Sequence, residues 1–327
     1  MYAGSVTFAV HRREELIHMK KWVLKAVVQK GISLLPYKHR INYLFQKYVT
    51  RGVQLSSLYF EDRLIHLREH LQFFQKYKGG LSGSQTLELG TGWYPVVPVG
   101  LFLAGAKRIH TVDISPLMNK DNLCLTLQQY LDWEQSGALA PYLTPEATRL
   151  AELREIVLAA PELELDQILE RLQMSYWVAD ARKLEVEDQS IQLITSNNTF
   201  EHIYPSTLED ILVSFKRILG KGGVMSHFID MSDHFAHLDS KISIYHFLRF
   251  STRFWKWIDN DVQPQNRWRL ANYRNLYARL EIPIVEEKNR PGSPEIVAQM
   301  PIAEPFKDLS IEELAISHSY VVSILKH

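Results

Sequence analysis

From Gln85 onward, short runs of apolar and β-branched residues alternate with stretches whose apolar positions recur three or four apart. That alternation admits few folds, because short buried strands separated by helices pair in parallel through crossover connections. Gln85–Leu89, Arg108–Asp113, Tyr176–Asp180, Ile191–Asn197 and Val224–Ile229 are expected as the first five strands. Ile282–Glu287 and the β-branched run His318–Leu325 follow, with a helix over Leu270–Leu280. Another helix is expected to open at Ser206, where Glu209 completes a capping box, and to end at the turn Gly220-Lys221-Gly222-Gly223. The fold class is therefore α/β, with a doubly wound parallel sheet.

Before that unit, helical spacing runs from Glu14 to about Tyr77, interrupted by Gly31, Pro36 and Gly52, which predicts three or four helices. Gly79-Gly80 and Ser82-Gly83-Ser84 mark the best boundary, giving an N-terminal helical cap over 1–80 and a sheet domain over 81–327. Two stretches exceed a minimal sheet. One is the insertion 119–174, with helices opening near Thr144-Pro145 and Pro161. The other is the aromatic-rich segment 230–269, which holds Phe235, Tyr245, Phe247, Phe250, Phe254, Trp255, Trp257 and Trp268. Both follow strands, so both are expected to cover the carboxyl edge of the sheet, where open α/β folds bind ligands.

Thirty-seven basic residues balance thirty-seven acidic ones, which argues against a nucleic-acid partner. The balance is uneven along the chain: 1–80 holds fourteen Lys and Arg against five Asp and Glu, and 119–174 four against ten. The basic segment and the acidic one could pack together, or the basic one could contact anionic lipid. Cys124 is the single cysteine, which excludes a disulfide framework and a thiolate-rich zinc site. No apolar run reaches membrane-spanning length, and Met1–Val10 makes a poor signal peptide, so a cytoplasmic location is expected.

Glu88-Leu89-Gly90-Thr91-Gly92 ends the first strand. Two glycines allow a sharp turn close to a ligand, and the following helix offers its positive end. The dinucleotide fingerprint is absent, since Pro95 stands where its third glycine belongs. A carboxylate at Glu88 would repel a pyrophosphate but suits an ammonium group. Asp113 ends the second strand, where an acid accepts hydrogen bonds from ribose hydroxyls. Asp180, ending the third strand, is placed to receive an adenine amino group.

These residues resemble those of class I S-adenosylmethionine-dependent methyltransferases, in their small-molecule (type 11-like) branch. Glu88, Gly90 and Gly92 match the first motif, Asp113 the ribose acid, and Asp180-Ala181 the adenine motif. Ser196-Asn197-Asn198-Thr199-Phe200-Glu201-His202-Ile203 is similar to the fourth-strand motif, and Lys216–Gly223 to the turn before the fifth. The resemblance covers about 84–230 well and 270–327 loosely. It implies a seven-stranded, mostly parallel, Rossmann-like sheet, with S-adenosyl-L-methionine as cofactor and S-adenosyl-L-homocysteine as product. Glu88, Gly90, Thr91, Gly92, Asp113, Ile114, Asp180, Ala181 and Asn197 are then the expected cofactor residues. Tyr94 departs from the family, which often has glycine there, and is expected to wall the methionine end of the pocket.

A nitrogen or oxygen acceptor of a methyl group has to lose a proton, so a nearby base helps. His202, Asp230, His234 and His237 are the candidates, with His234 first; His202 is expected rather to hold its loop. The series His227, Asp230, His234, His237 has the residue types of metal ligands. It follows a strand instead of one helix face and no acidic cluster supports it, so no metal is expected. The aromatic segment reads either as core or as a pocket for an apolar or ring-containing acceptor. In the latter case Arg249, Arg253, Arg267 and Arg269 could orient the acceptor. Tyr59, Arg63 and His66 fall where a preceding helix could fold over the cofactor. The expected function is methyl transfer to an oxygen or nitrogen of a small, apolar or ring-containing metabolite, in natural product biosynthesis. The alternatives are a catalytically silent binding or regulatory protein, or a membrane-surface protein using the basic segment for peripheral membrane contact.

Overall fold

The computed structural model describes residues 21–36 and 54–325. Among them, β1 (Gln85–Leu89), β2 (Arg108–Asp113), β3 (Met174–Val178), β4 (Ile191–Asn197), β5 (Leu219–Asp230), β6 (Ile284–Arg290) and β7 (His318–Ile324) form one sheet. The strand order is β3-β2-β1-β4-β5-β7-β6. β1 to β5 pair in parallel, while β7 runs antiparallel between β5 and β6. The chain winds outward from β1 to β3, then returns to β4 on the other side of β1. This reversal opens a crevice at the carboxyl ends of β1 and β4.

The longer helices are α1 (Lys21–Ser33), α2 (Ser57–Tyr77), α3 (Val96–Leu103), α4 (Lys120–Gln135), α5 (Ala147–Ala159), α6 (Leu165–Arg171), α7 (Pro205–Ile218), α8 (Thr252–Ile258) and α9 (Leu270–Arg279). Strand side chains alternate between the two faces of the sheet, so each face has its own core. On one face Leu193, Val224 and Val322 meet Phe60, Leu64 and Leu67 of α2 and Leu101 and Phe102 of α3. On the other, Ile194, Met225 and Val321 meet Leu208, Leu212 and Phe215 of α7 and Tyr273 and Leu276 of α9. None of these helices is long and apolar enough to cross a membrane.

Of the helices expected before residue 78, α1 and α2 are seen; the rest of that stretch lies outside the described residues. α2 begins at the N-cap Ser56, whose hydroxyl accepts the Tyr59 N–H, and its apolar face lies in the same core as the sheet. The Gly79–Ser84 stretch is the short connection from α2 to β1.

Two local expectations are corrected. Pro205 takes the first position of α7 after Tyr204, with no side-chain cap, so Ser206 and Glu209 form no capping box there. Proline suits that position because its missing N–H would have no helical partner. Gly220–Gly223 is not a turn ahead of the fifth strand but lies inside β5. The ladder to β4 passes from Leu219 to Val224, and the residues between form a bulge with Gly222 at φ +65.

α3 is buried on every side, and its Gly100 lets α2 and α4 approach closely. A Cβ there would lie 2.1 Å from Leu67 Cδ2 and 2.6 Å from the Tyr130 hydroxyl. Gly100→Ala is therefore expected to destabilise the protein by about 1–3 kcal/mol, despite alanine's better helix propensity. Urea unfolding of the two proteins checks this.

Candidate functional site

The crevice between β1 and β4 deepens into a cavity of about 590 Å³. Every residue expected to hold a cofactor lines it: Glu88, Gly90, Thr91, Gly92, Asp113, Ile114, Asp180, Ala181 and Asn197. Three adjacent strands, β1, β2 and β3, bring the acids to one rim because their carboxyl ends lie side by side. Gly90 and Gly92 have φ of +87 and +65, a backbone that side chains rarely adopt. A Cβ on Gly90 would also stand 2.3 Å from Thr199 Oγ1.

Glu88 lies at the floor, 4% exposed. Its Oε1 accepts from Asn197 Nδ2 at 3.1 Å; Asn197 Oδ1 in turn accepts from His70 Nε2 at 3.0 Å. His70 must then carry its proton on Nε2, leaving Nδ1 to accept from the Ser226 hydroxyl at 2.7 Å. This chain links β1, β4, β5 and α2. Burial pushes the Glu88 carboxyl up to about 8, against the opposing effects of Asn197 and Arg63, and pushes His70 down to about 3.

Asp113 turns both oxygens toward backbone donors: Oδ2 accepts from Gly92 N–H and Oδ1 from Ser115 N–H, each at 3.0 Å. Burial raises its carboxyl, and these bonds oppose the rise. The Gly92 bond also fixes the glycine turn against β2. Asp180 sits at the outer rim, where Arg182 holds it as an ion pair at 2.6 Å and keeps its carboxyl below the usual range. Tyr94 lines the cavity edge-on to Tyr59, 6.2 Å between ring centres.

α2 contributes Tyr59 and Arg63 to the wall, and Arg63 Nη1 donates to Asn198 Oδ1 at 2.9 Å. His66 does not reach the cavity; it is buried against Phe228 and bonds the Tyr320 hydroxyl at 2.5 Å. His70 belongs to the site without being among the expected residues. A histidine on the apolar face of α2, four residues from His66 and beside Phe73 and Phe74, was the available signal.

The catalytic candidates separate. His202 lines the cavity and donates from Nδ1 to the Pro264 carbonyl at 2.7 Å. His234 stands behind it, 4.8 Å between ring centres, and pairs through Nε2 with Asp230 at 3.3 Å. Asp230 is buried between His234 and His318 and does not line the cavity.

The expected covers are largely elsewhere. No residue of 119–174 lines the cavity; Leu123, Leu127, Leu153 and Ile168 pack into the α2–α3 core instead. From 230–269 only Asp261, Val262, Gln263 and Pro264 reach the cavity, while Phe235, Tyr245, Phe247 and Trp255 form a separate core with Trp22. Arg267 and Arg269 are buried clamps: the former donates to the Phe247 and Phe250 carbonyls, the latter to those of Met231, Leu314 and Ile316. Their charge is spent on backbone, which removes them as acceptor ligands.

Glu88 yields a stability prediction for the ligand-free protein. The unfolded chain releases this proton near the ordinary 4.5, and the folded chain near 8. Stability from this group is thus fully present at low pH and falls as pH rises through that window. Glu88→Gln removes the dependence, so its gain in Tm over the parent should be larger at pH 8 than at pH 5. Thermal unfolding at both pH values tests the sign.

Residues 136–226 match the family model described as a methyltransferase domain. No curated protein matches the sequence. Among solved structures, phosphoethanolamine N-methyltransferase 2 of Haemonchus contortus, in complex with S-adenosyl-L-methionine, is 13% identical with a TM-score of 0.44. That alignment covers 79% of this chain and 52% of that one, so this chain spans about half its length. An S-adenosylmethionine-dependent methyltransferase of Mesorhizobium loti is 13% identical, with coverage of 80% and 96% and a TM-score of 0.43. The PH0226 protein of Pyrococcus horikoshii is 14% identical, with coverage of 86% and 98% and a TM-score of 0.45. The strand order is that of the class I methyltransferase fold, and residues 136–226 within it match the methyltransferase-domain model.

Proposed function

We propose that this protein is an S-adenosylmethionine-dependent methyltransferase acting on an oxygen or nitrogen of a small, apolar or ring-containing metabolite. The observation that carries the reading is the convergence of Glu88, Asp113 and Asp180 on one cavity, around a glycine turn. The cofactor fits what is there. Glu88 is a buried carboxyl whose side-chain partner is one amide, so an ammonium group on the ligand would return its charge. Arg63 stands on the same wall to meet a carboxylate, Asp113 has lone pairs left for ribose hydroxyls, and Asp180 with Ala181 borders the adenine end.

When bound, S-adenosylmethionine supplies an electrophilic methyl group. The protein's part is then alignment and exclusion of water. Tyr59, Trp93, Tyr94, Ile203, Tyr204 and Val262 give the remaining space an apolar, ring-lined wall, which suits an acceptor of the same character. Of the four catalytic candidates only His202 lines that wall, so we assign it the contact with the acceptor, with His234 and Asp230 positioning it from behind.

Calorimetric titration with S-adenosylhomocysteine, with NAD as control, tests the donor. Binding of the former alone is expected; binding of NAD alone would sink the reading. Asp113→Ala should weaken S-adenosylhomocysteine by about 1–3 kcal/mol, since ribose hydroxyls would lose a charged partner. Unchanged affinity would remove the ribose assignment. Binding of the donor without turnover of any acceptor would favour a silent binding protein.

A second reading concerns location. Leu24 and Val27 of α1 and Phe254 and Trp257 of α8 are exposed, Trp257 by 76%, on neighbouring helices that also carry Arg253 and Lys256. Lys30 ties the two by donating to the Asp259 carbonyl, just before the Asp261–Pro264 wall of the cavity. Aromatic and basic groups so placed suit an anionic lipid surface. Co-sedimentation with anionic vesicles should be lost in Trp257→Ala; equal recovery of both proteins would dismiss the contact.

A further inference from the structure

At the inner end of the chamber, behind the wall assigned to the acceptor, three side chains turn toward one another. The short helical turn after β4 supplies Glu201 and His202, and the loop after β5 supplies His234. One ligand atom from each lies within 4.8 Å of the other two, and among the described residues no other group of His, Cys, Asp or Glu converges in this way. We propose that Glu201, His202 and His234 bind a divalent transition-metal ion.

Glu201 is the observation that asks for a cation. It is 2% exposed, neither carboxylate oxygen has a well-formed hydrogen bond, and only the backbone N–H groups of its own residue and of Asp230 bear on it. A buried carboxyl left in that state is costly unless something pairs with it. The nearby protein cations are otherwise engaged. Arg63 donates to Asn198 and pairs with Asp62, and Lys25 leans over the Phe235 ring at 5.5 Å.

The histidines are held as metal-binding imidazoles commonly are, each with one ring nitrogen fixed by an oxygen. Nδ1 of His202 donates to the Pro264 carbonyl, which leaves Nε2 as the acceptor nitrogen. Nε2 of His234 faces Asp230, which leaves Nδ1 in that role. Asp230 is itself braced by the Ser232 N–H at 2.7 Å and by His318 at 3.3 Å. Each ring has one nitrogen committed to an oxygen, so the two remaining nitrogens and the Glu201 oxygens make a set of ligand atoms that a cation would join.

Two histidines and one carboxylate are the ligand class of catalytic zinc and of non-haem iron(II), both of which keep open positions. Bonds of about 2.0–2.1 Å require the separations of the three atoms to shrink by up to about 1.5 Å. His202 also lines the cavity, so an open position on that side would take an oxygen or nitrogen of the acceptor. The ion would then acidify the acceptor at the wall where His202 stands. This differs from the series read from the sequence: His227 and His237 take no part, and Glu201 completes the set.

The test needs neither donor nor acceptor, so it stands apart from the methyl-transfer reading. The full-length chain is stripped with a chelator and titrated with cobalt(II), followed by visible absorption, then with zinc(II) by calorimetry and with iron(II) under anaerobic conditions. One equivalent per chain is expected, at micromolar affinity or tighter, with ligand-field bands for cobalt(II). Glu201→Gln, His202→Ala and His234→Ala should each weaken binding at least a hundredfold, and Asp230→Asn about tenfold to a hundredfold. His237→Ala should bind like the parent. The absence of saturable one-to-one binding by the parent protein would overturn the proposal whether or not the variants fold. So would binding unchanged in all three ligand variants, each checked by circular dichroism, because the ion would then sit elsewhere.

Discussion

The Glu88 carboxyl is placed where water reaches little of it, and much of the site follows from how the chain tolerates that. Its hydrogen bond comes from Asn197 on the next strand, Asn197 is oriented by His70, and His70 by Ser226. Each member has its partner, which is the condition for a buried polar chain to specify one arrangement rather than weaken the core. Because the members come from β1, β4, β5 and α2, the chain pins helix and sheet in one register at the floor of the cavity. Under the proposed function, a ligand bearing a cation would return to Glu88 the charge that burial disfavours.

The second constraint is the reversal of strand order between β1 and β4. Parallel strands bring chemistry-bearing ends to one edge, so Glu88, Asp113 and Asp180 converge although they are far apart in sequence. Asp113 then does structural service as well, since its bond to Gly92 holds the glycine turn open toward the cavity.

Much of this was legible before the structure. The strands Gln85–Leu89, Arg108–Asp113 and Ile191–Asn197 fall where the apolar runs end at Gly, Asp and Asn. The rim around the glycine turn was legible because backbone conformation and buried charge restrict residue type there. The bulge in β5 was not, because glycines mark turns and bulges alike and pairing to β4 decides between them. The aromatic segment was misleading for a related reason. Composition cannot say whether Phe247 and Trp255 face a ligand or one another, and in the fold they face one another. Arg269 reads as a cation that could orient an acceptor until three backbone carbonyls claim it. His70 was hidden because its partners come from strands more than a hundred residues away.

One consequence follows from the place of α2. It precedes the alternating unit in sequence, yet it supplies Tyr59 and Arg63 to the cavity wall and His70 to the support of Glu88. The pocket is therefore complete only while this helix is docked on the sheet. Ligand occupancy and helix docking must strengthen each other by the same free energy. A change at Leu64 or Leu67, in the seam between α2 and the sheet, would thus act as a control on affinity from a position no ligand touches. The first helix of the core works as the clasp of the site.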